Sequence, residues 1–104
     1  MASSNPPIKA TALTYRVALE DQSAAGSFKA NPTIATGDFK ISKDGGALAN
    51  LTTLPTNDPA GSIWVTIPIS ATESNADSIQ IQGVDQTSPK EWCDIAINIP
   101  TTAS

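Results

Sequence analysis

The sequence predicts an all-β domain. Three observations carry this expectation. Apolar and polar residues alternate along several short runs, as half-buried strands require. Clusters of Gly, Pro, Asn, Asp and Ser separate the runs about every eight to twelve residues, a spacing typical of sandwich folds. Strong helix formers are scarce: charged residues make up only 15%, so Ser, Thr, Asn, Gln, Ala, Gly and Pro must cover the surface, which favours turn-rich sheet.

A length of 104 residues is that of one domain, large enough to build one core without staples. Hydrophobic residues make up 39%, so that core is thin. No internal repeat or low-complexity tract interrupts it.

Residues 1–9 are polar and proline-containing, with no buried pattern. They read as a flexible arm, in which Pro6, Pro7 and Ile8 are candidate partner contacts. From Ala12 the chain alternates, with Leu13, Tyr15, Val17 and Leu19 on one face and Thr14, Arg16, Ala18 and Glu20 on the other. A helix would also tolerate Ala, Leu, Arg and Glu here, but Thr14, Tyr15 and Val17 favour a strand. Residues 21–36 are weakly patterned. They form either a long connection or one containing a short edge strand, anchored by Phe28 and Ile34, and Pro32 prevents a regular central strand.

The run 38–43 places Phe39 and Ile41 inward. Asp44-Gly45-Gly46 follows, supplying residues that reach positive φ cheaply, as a tight hairpin requires. The return over 47–54 offers Leu48, Leu51 and Leu54 as inward residues. Their spacing of three breaks strict alternation, so a bulge is expected. Residues 55–61 read as a loop. Over 62–69, Ile63, Val65, Ile67 and Ile69 face one way and Trp64, Thr66 and Pro68 the other. Pro68 cannot donate a ladder bond, so its amide side belongs at an edge or strand end. Ser70-Ala71-Thr72-Glu73 has capping-box spacing and opens one helical turn at most. A strand resumes over 78–85 with Ile79 and Ile81 inward. The last strand, 92–99, puts Cys93, Ile95, Ile97 and Ile99 on one face, and residues 100–104 form a tail. About seven short strands with one brief helical turn are most economically buried as two packed sheets, an immunoglobulin-like antiparallel β-sandwich spanning residues 10–100.

Composition also bounds function. The net charge is −4 and the pI about 4.4, and the basic residues are scattered, which argues against nucleic acid as a partner. No apolar run approaches the ~20 residues of a membrane-spanning helix. The N-terminus lacks the basic and apolar regions of a secretory signal and reads as a native start. The single Cys93 cannot form an intrachain disulfide; it reads as a small buried hydrophobe, which fits folding in a reducing cytoplasm.

The chain has no His, so the usual base of nucleophilic triads and the commonest transition-metal ligand are missing. No serine lies in a nucleophile elbow and no Gly-rich phosphate loop precedes a helix. Glu73 with Asp77, and Asp85 with Glu91, are the candidate carboxylate pairs, but glycoside hydrolysis needs about 5 to 9.5 Å between them in a cleft, which a thin sandwich hardly accommodates. Asp58, Asp77 and Asp85 are conceivable calcium donors without fixed ligand spacing, for which cap and turn roles are the simpler reading. The expectation is a non-enzyme without cofactor or metal. Asn50-Leu51-Thr52 has the form of a glycosylation acceptor, a triplet that also arises by chance. Trp64 and Trp92 either pack beneath covering loops or form exposed anchors for a partner subunit or a sugar.

The stretch Asn31-Pro32-Thr33-Ile34-Ala35-Thr36-Gly37-Asp38-Phe39-Lys40-Ile41-Ser42-Lys43-Asp44-Gly45-Gly46-Ala47 carries a resemblance. So do Asn50-Leu51 with Leu54-Pro55, Ser70-Ala71-Thr72-Glu73, Asn75-Ala76-Asp77 and Glu91-Trp92-Cys93-Asp94. In this order, across most of residues 11–102, they resemble small accessory virion proteins of tailed bacteriophages and prophages. The resemblance implies a structural protein of the particle, made in the bacterial cytoplasm and present in several copies, with capsid, neck or tail subunits as partners. It brings no catalytic residue. A head or neck decoration protein is the preferred expectation. The alternatives are a tail-tube, fibre or baseplate adaptor, and a carbohydrate-binding module on the particle surface. Neither nucleic acid nor membrane is an expected partner.

Overall fold

The computed structural model describes residues 7–24 and 26–102. Among these residues there are seven strands: β1 (Leu13–Ala18), β2 (Phe39–Lys43), β3 (Ala49–Asn50), β4 (Thr56–Asn57), β5 (Trp64–Ile69), β6 (Ser78–Gly83) and β7 (Ile95–Pro100). They form a three-stranded sheet in the order β1-β5-β4 and a four-stranded sheet in the order β3-β2-β6-β7. All pairings between strands are antiparallel. Among the described residues this is the strand order of an immunoglobulin-like sandwich without the first strand of its smaller sheet.

The alternation seen in the sequence sets the two inner faces. Val17, Val65, Ile67 and Ile69 of the small sheet meet Phe39, Ile41, Ile79, Ile81 and Ile99 of the large one in a single buried cluster, with Leu19 and Trp92. The register agrees with the pattern: Val17 is opposite Val65, Tyr15 opposite Ile67, and Ile81 is flanked by Ile41 and Ile97. Pro68 lies opposite Thr14, while on its other side β4 reaches only Val65 and Thr66. The edge there is open, so a residue without an amide removes no ladder bond.

The turn at Asp44-Gly45 forms as expected. Asp44 and Gly45 have φ of 52° and 75°, and the Gly46 amide donates to the Lys43 carbonyl at 2.9 Å, the geometry of a type I′ turn. Beyond it Ile41 pairs with Ala49 rather than Leu48, so the return strand carries one extra residue. That is the expected irregularity, but its consequence differs: Leu48 and Leu54 are exposed rather than inward, and only Leu51 packs against the core. Phe28, expected as an anchor, is likewise exposed, whereas Ile34 packs against the core. Residues 21–36 contain no strand among those described, only the isolated Glu20–Phe28 and Asp21–Trp92 bridges. The expected loop over 55–61 contains the two-residue strand β4.

The capping box closes reciprocally. Glu73 Oε1 accepts from the Ser70 amide at 2.9 Å, and Ser70 Oγ accepts from the Glu73 amide at 3.1 Å. One turn follows, with the Ser74 amide donating to the Ser70 carbonyl. Glu73 Oε2 also accepts from Thr52 at 2.8 Å, tying this corner to the return of the hairpin.

The ends of the chain correct the expected arm and tail. Ile8 bridges Thr102 in parallel, through bonds from Thr102 N–H to Pro7 and from Lys9 N–H to Thr102. The Thr101 amide donates to Asp77 and its hydroxyl to Ala76. Residues 7–9 and 101–102 are therefore part of the folded domain. The remainder of the expected arm, including Pro6, and of the tail lies outside the described residues.

Candidate functional site

The two tryptophans part company. Trp92 is fully buried. It stacks on Phe39 and donates from Nε1 to the Thr33 carbonyl at 3.2 Å, so it offers no partner contact. The cause is a change of phase: β7 begins at Ile95, and residues 91–93 pair instead with 20–22, through bonds such as Cys93 N–H to Glu20. Trp92 thus points inward, and Cys93, expected to be buried, is half-exposed. Trp64 is 44% exposed on the outer face of the small sheet. Pro7 and Ile8 are half-buried beside Thr102.

The carboxylates are dispersed into structural roles. Asp85 accepts amides from Thr87 at 2.9 Å and Glu91 at 2.7 Å. Burial works against its charge, but these amides, the Thr87 hydroxyl and the Trp92 amide together outweigh it and hold the carboxyl below its ordinary range. Glu91 itself caps the Thr33 amide. Asp77 pairs with Lys9 at 2.5 Å; the hydrogen bond and the opposite charge lower the Asp77 carboxyl and raise the Lys9 ammonium. Asp21 is lowered by the Ser23 hydroxyl and amide. Asp38 is buried and accepts amides from Ala35 and Gln86. Among the described residues no three His, Cys, Asp or Glu side chains gather as a metal site would need. The three suggested calcium donors separate, with Asp58 paired to Arg16 at 3.5 Å.

Two surfaces remain. One is the edge of β7 that faces away from β6. The Thr101 amide points to β6 and the Thr102 amide away from it. By alternation the Ala96 and Asn98 amides also face away from β6. Pro100 shares that side, where its missing donor costs β6 nothing. The strand carries no charged side chain, and Ile95 and Ile97 are half-exposed. Among the described residues nothing pairs along this edge except the Ile8–Thr102 bridge beyond its end.

The other surface surrounds Trp64. It lies opposite Ala18 of β1, and the Asp58 amide donates to its carbonyl at 3.2 Å. The next row is Arg16, Thr66 and Thr56. Alternation placed Arg16 and Trp64 on outer faces. It could not show that β1, β5 and β4 are neighbours, which is what brings Arg16 and Asp58 to Trp64.

No protein-family profile, no curated protein and no solved structure matches the chain.

Proposed function

We propose that the chain is a non-enzymatic structural protein of a tailed-bacteriophage particle, a head or neck decoration protein assembled in several copies through strand edges. The observation that carries this reading is the uncharged outer edge of β7, which no described residue pairs with before the Ile8–Thr102 bridge. Soluble proteins usually blunt such edges with lysines, bulges or covering segments, because the bare row of donors and acceptors recruits another strand. In this chain the edge offers the Ala96 and Asn98 backbone groups above half-exposed isoleucines. The dispersal of the carboxylates into caps and ion pairs, and the motif order of the sequence, support the same reading.

Mass spectrometry of separated heads and tails tests it directly: the protein is expected with the heads, and its absence from both fractions overturns the reading. Ala96→Lys places a charge on the exposed side of the edge without touching the core. It is expected to lower the copy number per particle, and unchanged occupancy removes β7 as the contact.

A further inference from the structure

We propose that the outer face of the three-stranded sheet is a binding site for a neutral saccharide, built on Trp64, Arg16 and Asp58. The proposal does not depend on a role in a particle.

The first argument is the preparation of Trp64. Asn57 holds the preceding loop: its Nδ2 donates to the carbonyls of Ser62 at 2.7 Å and Trp64 at 2.8 Å, and its Oδ1 accepts from Gly61 at 2.7 Å. Ser62 Oγ donates to Pro59 at 2.6 Å and accepts from the Trp64 amide at 3.1 Å. The Asn31 amide adds a bond to the Ser62 carbonyl from outside the loop. A large indole is thus left nearly half-exposed at the end of a tightly bonded hairpin. Holding the backbone that carries the ring lowers the entropy lost in the loop when a ligand is captured.

The second argument is the chemistry around the ring. A pyranose has an apolar C–H face bordered by hydroxyls. The indole supplies the apolar platform. Arg16 and Asp58, half-exposed and 3.5 Å apart, place guanidinium donors beside carboxylate acceptors, which is what two neighbouring hydroxyls need. The pair is neutral overall, so it offers no excess charge to an anionic sugar.

The third argument separates a sugar from a protein partner. An aromatic anchor at a protein contact sits within further apolar surface, and although Arg is enriched at such contacts, Asp is depleted. Here the row beside Trp64 is Arg16, Thr66 and Thr56, and Asp58 lies on its β4 side.

Maltohexaose, cellohexaose, chitohexaose and mannohexaose, titrated at millimolar concentration into the full chain and followed by amide NMR, test the site. At least one is expected to shift the Trp64 indole resonance and the backbone signals of Arg16 and Asp58. Trp64→Ala and Asp58→Asn should each weaken that binding about tenfold or more, while Trp64→Phe, which keeps an aromatic platform, retains most of it. Thermal melts establish that each variant is folded. Absence of any shift with all four sugars overturns the proposal, as does a shift that persists in folded Trp64→Ala. Loss of self-association in Trp64→Ala, with no sugar response in the wild type, also overturns it and makes Trp64 a protein contact.

Discussion

Trp92 and Phe39 stack with ring centroids 5.4 Å apart and planes inclined by 28°. The pair joins the segment before β7 to the first residue of β2 within the buried cluster. Through the Thr33 carbonyl, Trp92 also fastens the otherwise strandless connection between β1 and β2. One side chain therefore closes the end of the sandwich that the strands alone leave uncovered.

Replacing Trp92 by Ala is expected to cost about 3–5 kcal/mol through lost burial and the cavity left behind. Domains of this size hold only about 5–15 kcal/mol in total, so the variant should lose a large share of its stability. Trp92→Phe keeps the stacking and loses the bond to Thr33, and should fall between the two. Urea denaturation measures both. A Trp92→Ala variant as stable as the wild type would show that the pair contributes nothing.

Gly83 faces Phe39 from β6. A Cβ built there meets Ile95 Cγ2 and Phe39 Cε2, each at 2.8 Å. Neither neighbour can retreat easily, because Phe39 is buried under Trp92 and Ile95 is in the adjacent strand. Gly83→Ala should cost about 1–3 kcal/mol by overpacking. Combining it with Phe39→Leu should be clearly non-additive, since the two sites share the contact. Additive losses in thermal melts would place the strain elsewhere.

Thr66 presents the opposite case. Its Oγ1 is buried and has no hydrogen-bond partner, although the residue is on the outer side of β5. A hydroxyl taken from water without replacement costs about 1–3 kcal/mol. Thr66→Val keeps the shape and removes the unpaired group, so it should raise stability by up to that amount, about 4–8 °C in Tm per kcal/mol for a domain of this length. A lower Tm would mean that the hydroxyl is satisfied in solution.

These residues also show where a sequence stops being informative. The inner faces of β1, β2, β5 and β6 are legible because apolar or aromatic side chains recur at every second position and the register agrees. The Ser70–Glu73 corner is legible because its spacing is local chemistry. Cys93 reads as inward only when the phase of Ile95, Ile97 and Ile99 is carried backward, whereas the backbone changes partners from β6 to Glu20 before that point and turns Trp92 inward instead. Leu48, Leu54 and Phe28 show that an apolar side chain is not obliged to be buried. The grouping of Arg16, Trp64 and Asp58 needs strand order, which no local pattern encodes.

Asp85 gives the clearest dependence on pH. The amides of Glu91 and Thr87 hold its carboxylate, and its folded-state pKa lies below the ordinary value of 3.8. In the folded state it therefore keeps its charge to lower pH than in the unfolded chain. The stability this confers is fully present above the ordinary value and is lost as pH falls through the depressed one. Asp21 and Asp77 shift in the same direction, but they titrate alike in the wild type and in Asp85→Asn. The difference between the two proteins, followed by unfolding from neutral pH down to about pH 2, therefore isolates Asp85. Asp85→Asn should be less stable than the wild type at neutral pH, and its stability should fall less steeply with acid. The two curves should converge once Asp85 is protonated in the wild type. Parallel curves across the whole range would mean that the carboxylate is no better held in the fold than in the unfolded chain.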